Sequence, residues 1–312
     1  MGHTSDYADY TEVPAKRFFE SGTDGQRAKE TSDTVIAEAS LTVLYRNVSV
    51  NIPSCSPSNT SYLAVGHLIT GGLIRYADRV SELRYLPGED VIYVETEQAV
   101  TQGTPPETTK VPQTPEPPEL PEPPDPLELP ELRKRPELPE LHKLPEPPEA
   151  ATVGSLEYVS PALEPCPMFN PGAICDIFDD LLQRSSLFKM TGACHAAALC
   201  DENGIVLWHE DIGRHNAVDK VIGHAFLEKI PLNDKMLAIT GRINSEIVDK
   251  VVSANIPVVA SKAPPTDVAV RTAQKAGVTV IGFVRNRRMT VYSNSERVVH
   301  KNPTDRNDTD PG

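Results

Sequence analysis

Apolar and polar positions recur along this chain with two different periods, and the changes of period mark out its elements. Between about residues 30 and 100, "TVIAEASLTVLYRNVSVNI" has the β-branched character of strands, with a turn near Arg46–Asn47. "SYLAVGHLITGGLIR" reads as an apolar helix stopped by Gly71–Gly72, and "VSELRYLPGEDVIYVET" as two strands about Pro87–Gly88. From residue 165 onward the two periods alternate. "ICDIFDDLLQRSSLF" has helical spacing. "CHAAALCDENGIVLWHEDIG" looks like a hairpin turning at Glu202-Asn203-Gly204. Helices are expected in "RHNAVDKVIGHAFLEK", "NSEIVDKVVSANI" and "TDVAVRTAQKAG", and strands in "KMLAIT", "PVVAS" and "VTVIGFV". Repeating strand–helix units predict an α/β layered domain over 165–296, preceded by a smaller, mainly β N-terminal subdomain over 30–100.

Residues 101–150 follow neither period. Sixteen of these fifty are Pro, in near-repeats such as "PEPPEL" and "RPELPELHKLPEPPEA", with 11 acids and 5 bases. Proline has no amide hydrogen to give to a helix or sheet, and the segment lacks a core-forming set of residues. It reads as a disordered, acidic, polyproline-like insertion, either a solvated loop or a docking tether.

Charge narrows the function classes. The chain of 312 residues carries 30 Lys+Arg against 44 Asp+Glu, a formal net charge of −14, which argues against general nucleic-acid binding. It has no apolar run of transmembrane length and no signal-peptide core at "MGHTSDYADYTEVPAKRFFE", so no membrane association and a cytoplasmic location are expected. Five cysteines, at 55, 166, 175, 194 and 200, form no regular framework and suit a reducing compartment.

One stretch runs against the average. No acid occurs between Asp267 and Glu296, whereas Arg271, Lys275, Arg285, Arg287 and Arg288 do. "RNRR" at 285–288 follows a predicted buried strand, and the carboxyl ends of strands in open α/β sheets are where ligands bind. Guanidinium forks suit phosphate, so a site for a phosphate-bearing small molecule is expected there. "TGRINSEIVDK" and "SKAPPTDVA" repeat the design of strand, turn and helix start, with Thr266 as the expected cap and free N–H groups able to receive an anion. In "DIGRHNAVDKVIG", Asp211 is a candidate cap, and Arg214, His215 and Asn216 crowd the mouth of a helix.

"TGACHAAAL", "DIGRHNAVDKVIG", "GRINSEIVDK", "SKAPPTDVAV" and "GVTVIGFVRNRRMTVY", in that order over about residues 174–296, strongly resemble the FdhD family of formate dehydrogenase accessory sulfurtransferases; "LAVGHLITGGLI" resembles its N-terminal motif. The resemblance implies a cytidine-deaminase-like fold and a homodimer. It implies a carrier that takes persulfide sulfur from a cysteine desulfurase to the molybdenum bis(molybdopterin guanine dinucleotide) cofactor of formate dehydrogenase. It makes Phe283, Val284, Arg285, Asn286, Arg287 and Arg288 the segment that contacts the guanine dinucleotide. It also places Asp211, Arg214, His215, Asn216 and Asp219 around the cofactor, lining or bracing its site; the residues themselves fit equally a helix surface at Asn216 and Asp219 and a structural histidine at His215.

The sequence departs from the family at its sulfur-carrying pair, for it holds no CxxC. A carrier needs an accessible thiolate. Cys194, beside His195, is the candidate, with Cys166 in "LEPCPMF" as runner-up; Cys55, Cys175 and Cys200 read as small apolar fillers. The alternative is a non-catalytic chaperone or paralogue that binds the cofactor and carries no persulfide. A zinc deaminase is disfavoured and no zinc is expected, because His195-Ala196-Ala197 has Ala where the catalytic Glu would stand, and no PCxxC follows.

Overall fold

The computed structural model describes residues 8–18, 28–75, 78–86, 90–97 and 167–299. The proline-rich insertion, the Pro87–Gly88 turn and Cys166 lie outside the described residues. The first strands, β1 (Tyr10–Phe18) and β2 (Ala28–Ile36), pair antiparallel from Tyr10↔Ile36 to Phe18↔Ala28 as a separate two-stranded ribbon. Next come β3 (Ala39–Tyr45), β4 (Val48–Cys55), helix α1 (Thr60–Thr70), β5 (Arg79–Leu86) and β6 (Val91–Glu97). Their sheet has the order β4-β3-β6-β5, with β3 and β6 parallel. The expected turn falls at Arg46–Asn47, where Arg46 takes φ 52°.

The rest of the chain runs α2 (Pro171–Arg184), α3 (Ser186–Thr191), β7 (His195–Asp201), β8 (Gly204–Asp211), α4 (Arg214–Leu227), β9 (Met236–Ile239), α5 (Ser245–Ser253), β10 (Val258–Ser261), α6 (Asp267–Ala276), β11 (Thr279–Arg285) and β12 (Arg288–Ser293). The six-stranded sheet has the order β12-β11-β10-β9-β7-β8. Strands β9, β10 and β11 are parallel; the flanking pairs are antiparallel. The fold is mixed α/β, with several sheets and helices.

This sheet is buried on both faces, which explains why its central strands read as continuous apolar runs. Leu237 and Ile239 of β9, with Val259 and Val280, pack in a core that includes α1, α4, α5 and α6 and residues Leu41, Val43, Ile92 and Val94 of the four-stranded sheet. Met236, Ala238, Val258, Ala260 and Ile281 point the other way, onto Ile174, Ile177, Phe178 and Leu181 of α2. Those four recur at helical spacing, and Asn170 caps α2 by accepting from the Gly172 amide at 2.8 Å.

Helices α1 and α4 touch backbone to backbone. A Cβ added at Gly66 would lie 1.8 Å from the Asp219 carbonyl oxygen, and one at Gly223 would lie 2.0 Å from that of Tyr62. Two ion clusters, each built on a fully buried carboxylate, flank the crossing. Both carboxylate oxygens of Asp219 accept from Lys250 Nζ at 2.8 Å, and Asp219 also meets His67 Nδ1 and Thr70 Oγ1, so α1, α4 and α5 are tied together. Lys220 Nζ lies 2.6 Å from Asp211 and donates to Ser56 Oγ at 2.7 Å, with both ions fully buried. Nearby, Tyr62 stacks on His224, which shares a 2.9 Å hydrogen bond with His209. Burial, and then His224, push the His209 pKa down to about 3. Among the described residues no helix is long and apolar enough to cross a membrane.

Candidate functional site

The topology collects the motifs along one edge of the six-stranded sheet. Parallel β9, β10 and β11 end at Ile239, Ser261 and Arg285, while β7, antiparallel to β9, begins there at His195 opposite Asp211 of β8. A cavity of about 510 Å³ opens at this edge, lined among others by Phe188, Cys194, His195, Thr240 and Lys262. The turns after β9 and β10 are tied together, since Ser261 Oγ donates to the Gly241 carbonyl at 2.6 Å and accepts from the Ala263 amide at 2.9 Å. Both following helices are capped: Thr266, as the sequence suggests, accepts from the Ala269 amide, and Asn244 accepts from the Ile247 amide.

The mouth of α4 is built differently from the expectation. Gly213 is the N-cap, with no side-chain cap bond. Asp211 is not a helix cap but a buried anchor, accepting from the amides of Ser56 and Gly213 and from Asn216 Nδ2 as well as meeting Lys220. Asn216 also donates to the Ser54 carbonyl, so it and the fully buried Asp219 brace the helix rather than line its surface. Arg214 and His215 face the edge. His215 Nε2 lies 2.9 Å from Glu246 and 3.3 Å from Asn244 Oδ1. Burial, and then Arg214, hold the pKa of both His195 and His215 below the usual histidine value. Both are therefore neutral donors and acceptors at pH 7.

Arg214 is the anomaly. Its Nε is buried and has no hydrogen-bond partner among the described residues. A Cβ on Gly241 would come within 3.0 Å of Arg214 Cβ and 3.4 Å of His195 Nδ1. Glycine thus lets the β9 turn close onto both side chains, beside the Thr240 and His195 wall of the cavity.

The basic segment is a tight hairpin rather than an open loop. Asn286 and Arg287 form its two-residue turn, with φ 53° and 57°, and Phe283 at φ 55° lies in the bulge between Gly282 and Arg285. Positive φ at both turn residues gives the twist that two-residue hairpins favour. The six predicted contact residues divide. Val284 is buried against the α2 side of the sheet, so its side chain packs the core. Arg287 pairs with Asp176 of α2. The Arg285 guanidinium lies 5.3 Å from the Phe283 ring centroid, and Arg285 and Arg288 are exposed. The Phe283 amide donates to the Ala263 carbonyl at 3.4 Å, next to Lys262, so the hairpin adjoins the cavity through the β10 turn. Arg271, part of the same basic island, is paired with Asp267 at 2.8 Å.

Cys194 lines the cavity but is only 6% exposed. Its thiol donates to Glu210 Oε1 at 3.3 Å, and not to His195. Burial first, and Glu210 second, raise its pKa, opposite to the activation expected from a histidine neighbour. Cys55, Cys175 and Cys200 are buried, and burial raises each thiol, that of Cys55 to about 12. Among the described residues no three His, Cys, Asp or Glu side chains converge as a metal site. Glu210 and Lys262 were not singled out by sequence. Lys262 follows a strand end, a usable signal; Glu210 gains its position only because α3 folds back onto β8.

Residues 152–299 match the model of the FdhD/NarQ family. That segment is similar to the FdhD/NarQ family. Among its FdhD relatives, the sulfur carrier protein FdhD of Bacillus subtilis (strain 168) is 41% identical over 129 residues, 41% of this chain and 49% of that protein. The sulfur carrier protein FdhD of Saccharolobus solfataricus is 42% identical over 38% of this chain and 48% of its own length. In these two matches the chain spans about half the length of the FdhD relative. The FdhD of Bacillus pumilus (strain SAFR-032) is 27% identical over 286 residues, covering 92% of this chain and 98% of that protein. A crystal structure from Desulfotalea psychrophila, described as a formate dehydrogenase accessory protein, superposes with a TM-score of 0.67 at 18% identity. It covers 94% of this chain and 100% of that one, a likeness of fold.

Proposed function

We propose that this chain is a cytoplasmic accessory protein for formate dehydrogenase. In this reading it holds the molybdenum bis(molybdopterin guanine dinucleotide) cofactor, as cargo, along the edge formed by Arg214, Gly241, Lys262 and the 283–288 hairpin, and receives sulfur for it from a cysteine desulfurase. The observation that carries the reading is Arg214 Nε, a buried donor with no hydrogen-bond partner among the described residues. Buried donors are normally satisfied, so an anionic acceptor from a ligand is called for. Exposed Arg285 and Arg288, and the Phe283 ring, suit a phosphate and a purine on the same edge. The proposal extends to a cytidine-deaminase-like layering, supported by a sheet covered by α2 on one face and by α1, α4, α5 and α6 on the other, and to a homodimer.

A second reading, a cofactor-binding chaperone without persulfide chemistry, is favoured by one observation: Cys194 is a buried thiol held by a carboxylate. Both readings require the nucleotide site. In a calorimetric titration with GDP, Arg214→Met is expected to weaken binding about tenfold or more, the loss of roughly one charged hydrogen bond. Replacing Arg285, Arg287 and Arg288 together with Ala is expected to do the same, and wild-type affinity is expected to fall as salt rises. Unchanged affinity in both variants would remove the site from this edge.

A further inference from the structure

The surroundings of Cys194 ask why a thiol that faces a cavity is bonded to a carboxylate. Glu210 is placed with care. Its Oε2 accepts from the Leu187 amide at 3.1 Å and its Oε1 from the Phe188 amide at 2.9 Å, so the first turn of α3 pins the carboxylate in position. Cys194 Sγ donates to the same Oε1 at 3.3 Å. No ion-pair partner of Glu210 is found among the described residues. Asp211, from the end of β8, and Asp9, from the segment before β1, add smaller electrostatic effects of the same sign, whereas Glu210 alone bonds the sulfur. On the cavity side stand Lys262 and a neutral His195.

We infer that Glu210 is a positioning residue that locks Cys194 as an unreactive thiol in the resting chain, and that neutralising its carboxylate releases the thiolate. The inference rests on the reading of this edge as a sulfur-receiving site. A negative charge at hydrogen-bond distance disfavours a second one on sulfur, and the low-dielectric surroundings strengthen the effect. The lock suits a carrier, since a free thiolate in an open cavity would be oxidised or alkylated. On release, the Sγ proton passes to water. The thiolate then attacks the outer sulfur of a donor persulfide; the Sγ–S bond forms, the donor's S–S bond breaks, and the donor leaves as its thiolate. A cationic side chain of the donor protein set against Glu210 is the chemistry that would open the lock, tying reactivity to docking.

The test uses the full chain and needs neither desulfurase nor cofactor. The pH dependence of iodoacetamide labelling is followed site by site by mass spectrometry in wild type and Glu210→Gln, with Cys194→Ser to confirm the assignment. Glutamine keeps the size of the side chain and an oxygen for the α3 amides. At pH 7.5, labelling of Cys194 in Glu210→Gln is expected to be about tenfold faster or more, each pKa unit being a factor of ten, with its midpoint moved to lower pH. Cys200, fully buried at the far end of β7, serves as an internal clock and is expected to be unchanged. Equal or slower labelling of Cys194 overturns the inference, and so does acceleration of Cys194 and Cys200 together, which would report loosened packing. Persulfide loading by a desulfurase, measured separately on wild type and Cys194→Ala, reports on the sulfur-carrier reading alone.

Discussion

Gly66→Ala and Gly223→Ala are each expected to destabilise the chain by more than about 3 kcal/mol, the upper end of the usual cost of overpacking. Helix propensity argues the reverse, since Ala is better than Gly in a helix interior by about 1 kcal/mol. Space decides the sign. The added Cβ would meet main-chain atoms, at 1.8 Å for Gly66 and 2.0 Å for Gly223, and backbone cannot rotate aside as a side chain can. Relief requires α1 and α4 to separate, and this would open the packing of Leu63, Val65, Val218 and Ile222. Thermal unfolding is the measurement. A fall of roughly 6–12 °C or more is expected, at about 2–4 °C per kcal/mol for a domain of this size. A rise of about 1 kcal/mol, the propensity term alone, would show that the helices are not in backbone contact.

Lys220→Met is expected to cost about 3–5 kcal/mol, because it leaves Asp211 buried without its cation. Lys220 Nζ also serves Ser56 Oγ, and Asp211 gathers the Ser56 amide, so the pair fixes the segment before α1 to the start of α4. Asp211→Asn alone strands the buried ammonium and is expected to cost a similar amount. With both changes present neither ion remains, and the loss is expected to be well below the sum of the two singles. Urea titrations of the four proteins give the coupling as a double-mutant cycle. Strict additivity would mean that the two ions do not depend on each other.

These two features mark where the sequence was readable and where it stopped. The strands and helices were visible because the sheet and its helices keep strict periods: Ala196, Ala198 and Cys200 face α2 while Ala197 and Leu199 face α4. Thr266 was visible as a cap because a cap acts within its own turn. The long-range partners were not. Gly66 and Gly223 look like ordinary helix glycines until their helices cross, and Lys220 looks like a solvated helix lysine until Asp211 and Ser56 close over it. The basic island was readable as charge, but not that Arg287 turns to Asp176 and Arg271 to Asp267, while all three arginines of the hairpin stay exposed. Cys194 was chosen for the neighbour it has in sequence, His195, whereas a strand sends adjacent side chains to opposite sides. Its partner in space is Glu210, sixteen positions away.

The central claim, that this chain serves formate dehydrogenase, is tested most directly by complementation. Bacterial cells lacking their own accessory protein are given this chain, and formate dehydrogenase activity is measured in extracts, with soluble accumulation of the chain verified in parallel. The account predicts restored activity with the wild-type chain and loss of it with Arg214→Met. No activity from a soluble wild-type chain, or full activity from a soluble Arg214→Met chain, would contradict it.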